Sequence, residues 1–452
     1  MIIKTIPSTW LIEEEHRLDC GPFVKGSIEA RKTIEKLGVR KEPLVDLTKN
    51  GIGGMYHVGQ DKIVWAADDV HGMPFLRSAD ILKAEVSFQP FISRKQVSSN
   101  YLFQCPEGCT LITRSGTIGR MAYMRADMVD TAISQDVLKV VPDVGRIKPG
   151  YLFAFLSSKY GLPIITGGTF GSIIVHIEAQ NIAELPIPRL AGIEDEAHDL
   201  IEQAAAKRVE ASRLVSEGIA ELEKATGLSM LRFEKVDTIP FGVETVSSKR
   251  MMGRMDGAFH SSFHRDVVEA LQAASVPTTT VSKITTSIFE PKRFKRVQVD
   301  DPELGVPMFG TTALMWADPK PSFLIPKSMT GIDQLLVDQK TILIPRSGQI
   351  SGIIGTAVLP YGDLIGAAVS EDAIRIECAD EITAGFLFLV LRSEYGRRQL
   401  KARAYGSSIP HLDVNQIGKV LVPGLDKDAV KRIGEMGLRG AKLRHEAILQ
   451  ER

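Results

Sequence analysis

Thr113-Arg114-Ser115-Gly116-Thr117-Ile118-Gly119 decides how this chain is built, because it returns 232 positions later (Arg114 to Arg346) as Pro345-Arg346-Ser347-Gly348-Gln349-Ile350. Both copies follow an apolar run, Leu111-Ile112 in the first and Ile342-Leu343-Ile344 in the second. Apolar β-formers running into a Gly-punctuated polar loop read as a strand leaving a sheet by a tight turn. The pairing divides the chain into two halves.

Further echoes follow in the same order. Arg17-Leu18-Asp19 returns as Arg254-Met255-Asp256, and each precedes a helical pattern, residues 27–37 and 262–274. Their apolar positions correspond (Ala30 with Val267, Ile34 with Leu271, Leu37 with Ala274), which predicts one buried face per helix. Ser134-Gln135-Asp136 returns as Ser370-Glu371-Asp372. Tyr160-Gly161 and Tyr395-Gly396 each read as the end of a short apolar helix. Phe170-Gly171-Ser172 then matches Tyr405-Gly406-Ser407, His176 matches His411 and Pro188 matches Pro423. Offsets that drift slightly within a kept order are what loop insertions produce. Residues 44–104 and 278–334 show no echo by eye.

Each half is trailed by a different kind of sequence. Residues 192–227 contain no proline, and Ile193, Ala197, Leu200, Ala204, Ala211, Val215 and Leu222 recur at helical spacing. Gly227 supplies a C-terminal stop. At about 1.5 Å per residue this helix spans roughly 50 Å. Residues 426–452 repeat the pattern through Ala429, Ile433, Leu443 and Ala447, over roughly 40 Å. A helix with an apolar stripe must bury it, and two such helices most simply bury against each other. The expected class is therefore α+β: two repeated mixed α/β domains, 1–191 and 228–425, each followed by a long helix, with Leu200, Ala204, Ala211, Val215, Leu222, Ile433 and Leu443 in the seam of an antiparallel coiled coil.

Composition narrows the function. At 452 residues, 44% apolar and 24% charged, the chain is an ordinary globular protein too long for one core. No apolar run reaches a membrane span, and residues 1–10 lack the charged and apolar regions expected of a signal peptide. Four cysteines are not a disulfide framework, so a cytoplasmic location is expected. Lys plus Arg equals Asp plus Glu at 55 each, so any attraction to nucleic acid must be local.

Catalytic signatures are missing: no Walker A loop, no G-x-S-x-G elbow, no H-E-x-x-H, no G-x-G-x-x-G and no adenine-methyltransferase motif. Asp338-Gln339-Lys340 is too short a fragment to signal a nuclease. Cys105-Pro106-Glu107-Gly108-Cys109 has zinc-compatible spacing, but Val337 and Thr341 stand at the matching positions, so the thiols read as ordinary ones beside a turn. His176 and His411 read as packed side chains. For Arg114, Ser115, Thr117, Arg346 and Ser347 two readings stand open, a structural turn or hydrogen bonds to phosphate and groove edges. Phe170 and Tyr405 read as core lids before stacking platforms. Basic residues with Gly, Ser, Thr and aromatic neighbours form the remaining candidates for nucleic-acid contact: Arg77, Arg94 and Lys95 in the first half, Lys292, Arg293, Lys295, Arg296 and Arg403 in the second.

The duplicated Arg-Leu/Met-Asp, Arg-Ser-Gly, Tyr-Gly, aromatic-Gly-Ser and His-Ile/Leu motifs, with a long helix after each set, resemble the specificity subunit of type I restriction-modification systems. The resemblance covers essentially the whole chain, and the order of the motifs carries it. It implies two target-recognition domains, each reading one half of a split double-stranded DNA target, with the helices as a ruler for the unread spacer. It implies no catalysis and no cofactor on this chain: two adenine methyltransferase subunits would bring S-adenosylmethionine, and two restriction/translocase subunits ATP and Mg. Base readout is expected in the two stretches that lack an echo. The competing expectations are the recognition part of a fused methyltransferase-endonuclease and a subunit of another phage-defence assembly.

Overall fold

The computed structural model describes residues 3–13, 21–24, 26–167, 176–228, 243 and 245–452. Arg17-Leu18-Asp19, Cys20 and Phe170-Gly171-Ser172 lie outside them. Among the described residues no helix is long and apolar enough to cross a membrane. The chain is mixed α and β and divides into two compact units, Met1–Val209 with Leu449–Arg452, and Glu210–Ile448.

Unit 1 carries β1 (Lys41–Pro43), β2 (Met55–Tyr56), β3 (Trp65–Ala66), β4 (Gly72–Leu76), β5 (Phe91–Ser93), β6 (Thr110–Thr113), β7 (Met121–Tyr123), β8 (Ala132–Ile133), β9 (Val137–Val140) and β10 (Pro186–Pro188). They assemble as β2-β9-β6-β7, β3-β5-β4-β8 and the pair β1-β10. Unit 2 carries β11 (Thr278–Thr280), β12 (Ser287–Phe289), β13 (Gly305–Phe309), β14 (Phe323–Pro326), β15 (Thr341–Pro345), β16 (Ala368–Val369), β17 (Ala373–Glu377) and β18 (Leu421–Pro423). These assemble as β12-β17-β15, β14-β13-β16 and β11-β18. Every strand is short, so each sheet depends on the apolar clusters packed on its faces.

The registers in the two units run in step. Leu111 faces Lys139 across β6 and β9, and Leu343 faces Arg375 across β15 and β17. Phe75 pairs in parallel with Ala132, as Met308 does with Ala368. Gly72 lies opposite Ser93, and Gly305 opposite Pro326. That last correspondence, at an offset of 233 (Gly72 to Gly305), joins the stretches that show no echo by eye. It exposes one: Lys62-x-Val64, Asp68, Gly72-x-Pro74 against Lys295-x-Val297, Asp301, Gly305-x-Pro307.

The helices fall close to their expected bounds, Ser27–Lys36 and Ser262–Ala273 after the first motif, then Ile193–Thr226 and Lys427–Glu451 as the long pair. Leu37 lies beyond its helix and is exposed, since that helix buries Ile28, Ala30 and Ile34 instead. The Tyr-Gly pairs stand at the start of helices, Gly161–Gly167 and Glu394–Arg403, and not at the end of the preceding ones. A Cβ on Gly161 would sit 2.3 Å from the Phe155 carbonyl oxygen, and one on Gly396 2.2 Å from that of Val390, so only glycine lets each helix fold back on its predecessor.

Seam positions Ala204, Ala211, Val215, Leu222, Ile433 and Leu443 are buried, but Leu200 and Ile193 are exposed. In that stretch the helix turns Ile201 and Ala205 onto Tyr123 and Phe153 of its own unit, one residue out of step with the a/d pattern. Within unit 2, Glu221 takes a 2.8 Å hydrogen bond from Arg432, Gly218 lies against Met436, and Gly440 lies against Ala211 and Val215. Within unit 1, Arg208 pairs with Glu451, and Gln450 donates to Gln203 at 2.8 Å. Within unit 2 the partner numbers fall along one helix as they rise along the other: Val215 with Gly440, Gly218 with Met436, Glu221 with Arg432.

Candidate nucleic-acid interface

The two Arg-Ser loops are held in the same way. The Arg114 N–H donates to the Asp136 carbonyl at 2.9 Å, its carbonyl accepts from Ile177, and the Ser115 hydroxyl bonds the Asp136 carboxylate. The Arg346 N–H donates to the Asp372 carbonyl at 3.0 Å, its carbonyl accepts from Leu412, and the Ser347 hydroxyl bonds the Asp372 carboxylate. Gly116 and Gly348 both take positive φ, 74° and 130°. The Thr113 carbonyl accepts from Gly119, and the Pro345 carbonyl from Gly355, so the second loop holds four more residues and the offset steps from 232 to 236 within it (Thr113 to Pro345, Gly119 to Gly355).

Arg114 is buried, its guanidinium spent on Glu178 and on the Ile177 and Gln135 carbonyls. Arg346 pairs with Glu290. Of the two open readings the geometry favours the structural one for Arg114, Ser115, Arg346 and Ser347; Thr117 alone is exposed, at the loop tip.

Arg403 is also inward-facing. It is buried, donates to the Lys419 carbonyl at 3.2 Å, and stacks on Phe259 with Arg254 on the same ring. Burial, then the nearby Arg254 charge, pulls its pKa down to about 10. Arg254 itself closes the C-terminal end of helix Glu394–Arg403 by donating to the Arg403 and Ala404 carbonyls. Tyr405 is not a core lid: it is 45% exposed, and its backbone bridges His411.

The remaining cations face outward. Arg77 is exposed beside the buried Asp80, which Lys83 also reaches. Arg94 donates to the Asp69 carbonyl and, through its N–H, bonds the His71 carbonyl at 2.9 Å. In unit 2 the corresponding Lys327 donates to the Glu303 carbonyl, and its N–H to the Leu304 carbonyl, also at 2.9 Å. Both cations therefore brace the turn that precedes β4 or β13. Asp68 caps that turn by accepting from the His71 N–H, and Asp301 does so from the Glu303 N–H. Arg296 pairs with Glu371 at 3.1 Å. Lys62, Lys95, Lys292, Arg293 and Lys295 are exposed without an ion pair among the described residues.

Position 139 differs in kind between the units. Arg375 is buried, yet donates to the Ser370, Val369, Ala373 and Leu335 carbonyls. Lys139 is buried over the Tyr56 ring with no hydrogen-bond partner among the described residues, and burial pushes its pKa down to about 8. Cys105 and Cys109 pack as free thiols in an apolar cluster with Leu111 and Met124, against which Tyr56 lies, and burial pushes the Cys109 thiol up. Among the described residues no group of His, Cys, Asp and Glu is arranged to hold a metal ion.

No protein family matches this chain, and no curated protein does. Among solved structures it is similar to the type I restriction-modification S subunit from M. genitalium (15% identity, 92% of each chain, TM-score 0.32). It is also similar to the HsdS subunit from Thermoanaerobacter tengcongensis (11% identity, 92% of this chain and 94% of that one, TM-score 0.29). A third similar chain comes from work on assembly and conformational transition of the type I R-M system (12% identity, 92% and 94%, TM-score 0.30).

Proposed function

We propose that this chain is the DNA-reading specificity subunit of a type I restriction-modification complex, built from two copies of one recognition domain. The carrying observation is the shared register: Leu111/Lys139 with Leu343/Arg375, Phe75/Ala132 with Met308/Ala368, and Gly72/Ser93 with Gly305/Pro326. Two copies of one reader whose surface residues differ are suited to two different half-sites. On this reading residues 1–191 and 228–425 are the recognition domains, and 192–227 pairs antiparallel with 426–452 as the spacer.

The proposal narrows the DNA-contacting set to exposed cations: Arg77, Arg94, Lys95, Lys292, Arg293, Lys295 and Arg296, with Lys62 added. Arg114, Ser115, Arg346, Ser347 and Arg403 keep structural roles. The chain itself carries out no chemistry; methyltransferase subunits bring S-adenosylmethionine, and translocase-nuclease subunits ATP and Mg. Methylome sequencing of cells with and without the gene tests this. A bipartite methyladenine motif that disappears with the gene is the expected result, and an unchanged methylome refutes the proposal.

A further inference from the structure

We infer that position 65 of unit 1 and position 298 of unit 2 are the same specificity-determining position at the same sheet edge, Trp65 reading bases in one half-site and Gln298 in the other. The inference rests on the DNA-reading role proposed above and adds to it a residue pair. Register fixes the correspondence. Trp65 and Ala66 of β3 pair with Ile92 and Phe91, and Val299 bridges Leu324. Phe91 lies opposite Pro74, and Leu324 opposite Pro307, so Ala66 and Val299 occupy one position, and Trp65 and Gln298 the position before it.

Along this segment some residues stay and others change. Lys62 and Lys295, Val64 and Val297, and the turn carboxylates Asp68 and Asp301 are kept, and the same brace from Arg94 or Lys327 holds the turn. Unit 1 stiffens the strand further, with Gln96 bonding the Val64 N–H and the Lys62 carbonyl at 3.0 and 2.9 Å. What changes on this rigid support is the outward residue. A kept lysine suits the phosphate backbone, which carries no sequence information, whereas a changing side chain suits base edges, which do.

Trp65 is 58% exposed, with its ring edge on Phe75 at 5.8 Å. Val64, beside it, is 54% exposed. A large apolar residue on an uncovered edge strand invites self-association unless a partner covers it. The exposed cationic groups of Lys62 and Lys95 in unit 1, and of Lys292, Arg293 and Lys295 in unit 2, match a polyanion. Gln298, also exposed, offers the paired donor and acceptor that fit adenine N6 and N7 in the major groove; indole offers an apolar face for a thymine methyl.

The test is methylome sequencing of cells carrying the whole system with Trp65→Gln, Gln298→Leu, Lys62→Ala or Lys295→Ala. Trp65→Gln is expected to alter one half of the motif and leave the other, Gln298→Leu to do the converse, and the retained half reports an intact complex. Each lysine variant should lower the methylated fraction without changing the motif, and reduce by about one the salt dependence of DNA binding. A motif unchanged in both reader variants overturns the inference while leaving the proposed function standing. So does loss of co-purifying methyltransferase on Trp65→Gln with the motif intact, because position 65 is then a protein contact. If Trp65→Gln abolishes methylation altogether, Trp65→Phe and Gln298→Leu decide: an unchanged motif in both is again fatal. A wild-type methylome with no bipartite motif removes the function itself.

Discussion

Burial of the Lys139 amine, where the charged form is poorly solvated, holds its pKa below the ordinary lysine range. Its folded pKa of about 8 lies below the ordinary 10.5, so the unfolded state binds more proton between those values. Stability must therefore rise with pH through that window, and the full penalty applies below it. Lys139→Met is expected to stabilise unit 1 by about 3 kcal/mol at pH 7 and about 1 kcal/mol at pH 10. Hydrogen exchange at both pH values measures it, and equal gains at the two would show that the amine is solvated. The serines of the repeated loops make the opposite case. Ser115→Ala and Ser347→Ala each leave a carboxylate, Asp136 or Asp372, short of one charge-assisted bond. Each should cost about 1–3 kcal/mol in its own unit and leave any DNA motif unchanged. A changed motif at full stability would return these loops to the DNA surface.

At the scale of elements, the contact between helix Glu381–Arg392 and the C-terminal helix Lys427–Glu451 depends on missing side chains. A Cβ on Gly385 would stand 2.3 Å from the Gly434 carbonyl oxygen, and one on Gly437 2.6 Å from that of Gly385. Both obstacles are backbone, so neither can swing aside. Gly385→Ala should cost about 1–3 kcal/mol and show as lost exchange protection in residues 427–448; an unaffected helix would mean that the two need not approach so closely. The helices themselves were legible in the sequence, since a 3.6-residue stripe survives loss of identity. Leu200 misled because the stripe changes partner along its length, turning from a helix to Tyr123 and Phe153, which periodicity cannot register. Arg114 was ambiguous because its carboxylate, Glu178, is far away in sequence. The edge-strand echo is faint in the sequence for another reason: only Lys, Val, Asp, Gly and Pro are kept between 62–74 and 295–307, and the rest changes freely. Those free changes are where the reading surface is proposed to lie.

For the molecule as a whole, zero net charge means that bulk attraction to DNA cannot carry recognition, so local surfaces must. If the two units are copies in one register, a reading segment should be portable from one to the other. Residues 64–71 and 297–304 have equal length, begin after Ile63 or Arg296 and end before Gly72 or Gly305. Ile63 should be left in place, since it packs on the cluster of Phe75 and Ile92, whereas Arg296 relies on Glu371, where unit 1 has Gln135. The grafted turn keeps its cap, because Asp301 falls where Asp68 does, and Arg94 can bond the new carbonyl as Lys327 does in unit 2. Cells expressing the graft within the intact system should therefore methylate a motif whose unit 1 half has moved towards the unit 2 half, with the unit 2 half unaltered. Retention of the original unit 1 half at wild-type methylation would mean that bases are read from elsewhere in the domain. A motif altered in both halves would mean that the units do not read independently, and the picture of two separate copies would fail with it.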